Sequence, residues 1–96
     1  MGEEELDDYE ASLELSLVQE YKAVVGMFHY AVETDRRFYL ANDVAVEVRE
    51  TTPAMVELTL TDAWVWDMYR AARFVPSVRV LTFRDVNIER LPKDEL

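Results

Sequence analysis

The sequence predicts an α+β fold, with a long N-terminal helix packed on an antiparallel, mostly meandering sheet of about five strands. Three observations predict it. Apolar residues recur at three- and four-residue steps over residues 3–25, and from Met27 onward the period falls to two. Polar or proline-bearing segments then punctuate the rest at the spacing of strands. With 96 residues and 11.2 kDa, a single domain (1–96) is expected, because two separate cores would each be too small to hold without help.

The helix is expected over 3–25. Leu6, Tyr9, Leu13, Leu17, Tyr21 and Val24 share one face, acids crowd the first turn where the helix dipole favours negative charge, and Gly26 offers a stop. At 100° per residue a second apolar strip, Ala11, Leu15, Val18 and Val25, lies well away from the first. A helix lying on one sheet needs only one stripe. The second is expected either to be covered by a curling sheet edge or the C-terminal segment, or to meet a partner, which includes a second copy of the chain.

The strands follow in order. Phe28, Tyr30 and Val32 alternate with more polar neighbours, Thr34-Asp35 offers a turn, and Arg36 to Ala41 forms a second strand. Asn42-Asp43 is read as another two-residue hairpin loop before Val44 to Arg49. That register pairs Glu33 with Arg36 and Tyr39 with Val46. It places Phe28, Tyr30, Val32, Tyr39, Ala41, Val44, Val46 and Val48 on one face, with His29, Phe38 and Leu40 beside charged residues on the other. Thr51-Thr52-Pro53 breaks the pattern, and Met55 to Leu60 resumes it with Val56, Leu58 and Leu60 inward. Residues 63–74 fit either a helix capped by Asp62 and stopped by Pro76 or a strand, and their aromatic and β-branched content tilts the reading toward strand. Val78 to Phe83 reads as a strand, and Asp85 to Leu91 either continues it past a bulge or forms the last short strand.

Composition narrows the chemistry. The chain has no cysteine, so disulfides, thiol nucleophiles and thiolate-bound metals are excluded, and its single histidine excludes multi-histidine sites. Two glycines leave no phosphate-cradling loop. The net charge of −10 is concentrated: residues 1–21 hold eight acids and no base, while Arg70, Arg73, Arg79, Arg84 and Arg90 fall late in the chain. No signal peptide or membrane-spanning run is expected, so the reading is cytoplasmic, without membrane association. The closing Lys93-Asp94-Glu95-Leu96 spells a lumenal retention signal, which has no meaning without entry to that compartment.

Neither a cofactor nor a metal is expected. His29 is the one general-base candidate for a hydrolase, with Ser12, Ser16 or Ser77 as nucleophile, but no spacing brings them together and a surface strand histidine is the plainer reading. Asp85, Asn87 and Glu89 could offer oxygens to a hard cation, or simply form the wet face of an edge strand. Trp64, Trp66, Tyr69 and Phe74 interleave with Arg70 and Arg73. That composition suits core packing, a protein interface or stacking of unpaired bases, the last opposed by the overall acidity. The sequence therefore favours a non-enzymatic protein interaction module, using Leu15, Val18, Trp64, Trp66, Tyr69, Arg70 and Arg73 toward a protein partner or in a homodimer. A nucleic-acid-associated accessory protein using Arg70, Arg73, Arg79 and Arg84 is the alternative.

Leu13-Glu14-Leu15-Ser16-Leu17, Arg36-Arg37-Phe38-Tyr39-Leu40-Ala41-Asn42, Asp62-Ala63-Trp64-Val65-Trp66-Asp67-Met68-Tyr69-Arg70 and Asp85-Val86-Asn87-Ile88-Glu89 together resemble a small actinobacterial family of unknown function. The resemblance covers nearly the whole chain, and the aspartate–tryptophan segment is its most specific part. It implies a cytosolic protein of about this length, commonly encoded near ribonuclease HII and without an established activity. Such a neighbourhood is association rather than mechanism, and no catalytic residue carries over from it.

Overall fold

The structure, a computed structural model, describes residues 3–92, with side chains from Asp8 onward. Leu6 as a side chain and the closing tetrapeptide at 93–96 lie outside the described residues. Helix α1 spans Glu3–Val24 and tightens into a single 3₁₀ turn at Val25–Met27. Five strands follow: β1 (Tyr30–Glu33), β2 (Phe38–Arg49), β3 (Met55–Val65), β4 (Phe74–Thr82) and β5 (Asn87–Arg90). They form one antiparallel sheet in the order β4-β3-β2-β1-β5. The fold is α+β, as the sequence predicts.

Two details of the strand reading are corrected. Asn42-Asp43 is not a hairpin loop: β2 runs straight through it for 12 residues, and Val46 faces Leu58 of β3 rather than Tyr39. A polar dipeptide is a turn signal only where the chain gains by reversing, and here both flanking segments pair with β3 throughout. The β1–β2 turn is longer than two residues. Glu33 pairs with Phe38, and the Thr34 hydroxyl accepts N–H bonds from Arg36 and Arg37 at 3.3 and 3.1 Å. The slip from Arg36 to Phe38 is two residues, an even number, so side-chain faces survive it. Of 63–74, residues 63–65 belong to β3 and 66–73 form a loop before β4.

The sheet cannot be flat. Thr82 ends β4 at the level of Val56 and Val48, whereas Asn87 opens β5 at the level of Glu33 and Phe38. In a flat sheet those points would lie about 33 Å apart along the strands and about 19 Å across them. The linker of residues 83–86 reaches only about 17 Å. The sheet therefore folds back on itself, and the strands show where. Along β2 the inward residues change from Tyr39 and Ala41 to Val44, along β3 from Leu58 and Leu60 to Ala63 and Val65, and along β4 from Val75 to Val78. Each strand switches parity at one line through Asn42-Asp43, Thr61-Asp62 and Pro76-Ser77. Asp62 makes the switch with φ at +49°, the left-handed region that aspartate tolerates better than most residues.

Folding at this crease creates two cores. Between the leaves, Val32, Ala41, Leu58, Leu60, Ala63 and Val65 are almost wholly enclosed, with Val78, Val80 and Val86 packed against them. On the outer side of the upper leaf, Leu17, Val24 and Phe28 meet Leu40 and Trp64, with Tyr21, Phe38 and Trp66 around them. The valine-rich face is thus closed by the sheet itself. The helix covers the face that carries Phe38 and Leu40, and Phe28 joins that side rather than the valines. Val46 and Val48, expected inward, are exposed at the far end of the β2–β3 hairpin.

On the outside of the folded-over leaf, Glu57 is buried beneath two guanidinium groups. Arg49 reaches one carboxylate oxygen at 2.6 Å, and Arg79 donates to the other through Nε at 2.7 Å and through Nη2. The hydrogen bonds from Arg79 and then Arg49 hold the Glu57 carboxyl below the ordinary glutamate range.

Two outcomes test this architecture. Replacing Asp62 with glycine is expected to leave the urea midpoint close to wild type, whereas Asp62→Val, whose branched side chain resists positive φ, should cost about 1–2 kcal/mol. For Glu57 the depressed folded pKa means its contribution is present at neutral pH and fades as pH falls through the carboxylate range. Urea titrations should show the stability gap between wild type and Glu57→Gln closing below about pH 4.

Candidate interaction surfaces

The loop at 66–73 meets α1, and one carboxylate fastens the two. Glu20 accepts the indole N–H of Trp64 at 2.7 Å through Oε1 and the Arg73 guanidinium at 2.6 Å through Oε2. Arg73 is nearly enclosed, and its other nitrogens donate to the backbone carbonyls of Asp67 at 3.0 Å and Met68 at 3.3 Å. Every polar group brought under the helix is thereby paired, as burial requires. Tyr21 lies edge-on to Phe38 and Trp66, and the two indoles meet at 85° with centroids 5.9 Å apart. These edge-to-face contacts match the quadrupoles of the rings.

The structure thus divides the residues that the sequence singles out. Trp64 is fully buried and Trp66 half-buried in the helix-side core, while Arg73 is occupied by Glu20 and the loop. Tyr69 and Arg70 remain at the surface. The Tyr69 hydroxyl donates to Glu10 at 3.3 Å, and desolvation, followed by the Glu10 charge, pushes the phenol above its ordinary pKa. Leu15 is 59% exposed and Val18 half-buried, with Ala11 exposed beside them on the side of α1 turned from the sheet. Tyr9 is 60% exposed at the same end of the molecule as Tyr69, and the two border a hollow floored by Leu13 and Met68.

His29 is exposed on β1's approach, with Nδ1 2.9 Å from the side-chain oxygen of Asn42. Asn87 donates to Glu89 at 3.1 Å along exposed β5. Among the described residues no group of three or more histidines, aspartates or glutamates gathers as a metal site. No helix among them is long and apolar enough to cross a membrane.

Arg79 and Arg84 do not join Arg70 and Arg73. They stand at the end of β4, opposite Arg36 and Arg37 on the β1–β2 turn, across a groove that also contains Tyr39. Burial raises the Tyr39 phenol pKa, opposed by the nearby charges of Arg37 and Arg70. Arg36 and Arg37 were invisible to sequence reasoning as site residues. Only the folding of the sheet brings them to β4, and the Arg36-Arg37 pair was the one available hint.

Fold and surface together define a small α+β protein whose described chemistry is that of packing and charged surfaces. The chain belongs to the family described as a protein of unknown function, DUF2469, which matches residues 1–96. Uncharacterised proteins of Mycobacterium bovis and Mycobacterium tuberculosis are each 60% identical to it over 97 residues, covering 100% of this chain and 96% of the relative. No solved structure matches it.

The Glu20 clamp yields a direct test. Glu20→Ala leaves the Trp64 N–H and Arg73 without their shared acceptor and should lower stability by about 2–3 kcal/mol, accompanied by a shift in tryptophan emission. Glu20→Gln, which can still accept from the indole, should lose less.

Proposed function

We propose that this protein is a non-enzymatic, cytoplasmic, single-domain interaction module, docking a protein partner or a second copy through the outer strip of α1 and the adjoining Tyr69–Arg70 corner. The observation that carries this reading is the open strip itself, Leu15 above all. The sheet spends its curvature closing its own valine core, so nothing among the described residues wraps the far side of the helix. Trp64, Trp66 and Arg73 serve this surface from beneath, by fixing the helix and the loop in place.

Changing Leu15 and Val18 together to glutamate is expected to abolish capture of the partner, or self-association in sedimentation, with the circular dichroism spectrum unchanged. Retained association would remove the strip from consideration.

A second reading, an accessory protein on nucleic acid, is favoured by the exposure of Arg70, Arg79 and Arg84, and opposed by the net charge of −10. It predicts binding of single-stranded oligonucleotides that weakens steeply with salt and disappears when Arg70, Arg79 and Arg84 become alanine. An absence of binding at low ionic strength disposes of it.

A further inference from the structure

We propose that the groove between the β1–β2 turn and the end of β4 binds an acidic polypeptide segment that carries an apolar side chain. This site is separate from the strip on α1. The groove encloses about 900 Å³, with Arg36 and Arg37 on one wall and Arg79 and Arg84 on the other. Four of the chain's eight arginines, and neither of its lysines, converge there. Guanidinium groups present paired N–H donors that match a carboxylate at two points, which a lysine ammonium cannot do.

These donors are largely available. Arg84 stands 3.6 Å from Asp35 and Arg37 3.6 Å from Asp67, close enough to feel the opposite charge but too far for a hydrogen bond, and both guanidinium side chains are at least half exposed. Among the described residues Arg36 has no acidic partner. Arg79 is already held by Glu57, so it contributes to the local field more than to direct contact.

The same groove exposes large apolar side chains. Leu81 is 57% and Phe83 64% exposed beside the arginines, a combination suited to anchoring one apolar residue between flanking carboxylates. A nucleic-acid strand fits less well. Phe83 is the groove's one exposed ring, where single-strand platforms use rings in succession, and a long phosphate chain would extend beyond the groove over a strongly acidic protein. A short acidic segment needs only the local field.

The test uses a fluorescein-labelled hexaglutamate peptide with a central phenylalanine, read by fluorescence anisotropy against the full chain. Saturable binding is expected, weakened about tenfold by Arg36→Gln with Arg84→Gln, and weakened also by Phe83→Ser and by added salt. The Leu15→Glu, Val18→Glu variant should bind as wild type does, which separates this site from the helix strip. Because both arginines lie at the surface, circular dichroism should be unchanged in the glutamine variant. Should that variant fail to fold, amide shifts of the wild-type chain on peptide addition must map to Arg36 and Arg84. No saturable binding at low salt, undiminished binding by a folded arginine variant, or displacement by a thymidine dodecamer at lower concentration than by unlabelled peptide would each overturn the proposal.

Discussion

The link between β4 and β5 governs the rest of the architecture. Four residues join strands that lie on opposite edges of the sheet and at opposite ends of its longest strands, and no flat arrangement lets them reach. The sheet must curve back on itself, and at one level across its three long strands the residues that face the inner core change parity. Asn42-Asp43, Thr61-Asp62 and Pro76-Ser77 mark that level. Asp62 takes a left-handed backbone angle there, and Pro76 stands on the edge strand, where a proline is tolerated.

From this crease follows the division of labour between helix and sheet. A sheet that buries one face against itself has only one left to offer, so α1 packs on the Phe38, Leu40 and Trp64 side. There it needs a polar fastening, because Trp64 brings an indole N–H under the helix and Arg73 brings a guanidinium. Glu20 serves both. The same division leaves Leu15 facing outward and moves the end of β4 across to the arginines of the β1–β2 turn.

Much of the fold was legible in the residues. The helix, the five-stranded antiparallel sheet and the inward positions of Leu58 and Leu60 follow from periodicity, which depends on local backbone geometry. The crease was not legible, since Asn42-Asp43 carries the same signal in a hairpin loop as in a bent strand and only pairing with β3 distinguishes them. That one ambiguity hid the two-core arrangement and the meeting of Arg36 with Arg84. The composition of the 64–73 segment combines aromatic and cationic side chains. It could not tell which of them point inward, because that depends on Glu20, 44 residues from Trp64 in sequence.

β4 borders open water along one side, and a bare strand border is ordinarily where identical molecules begin to add to one another. Pro76 has no N–H to offer a newcomer. A chain arriving there finds its ladder interrupted after a few residues. At Pro76 the open border of β4 therefore offers an added strand one hydrogen-bond donor fewer.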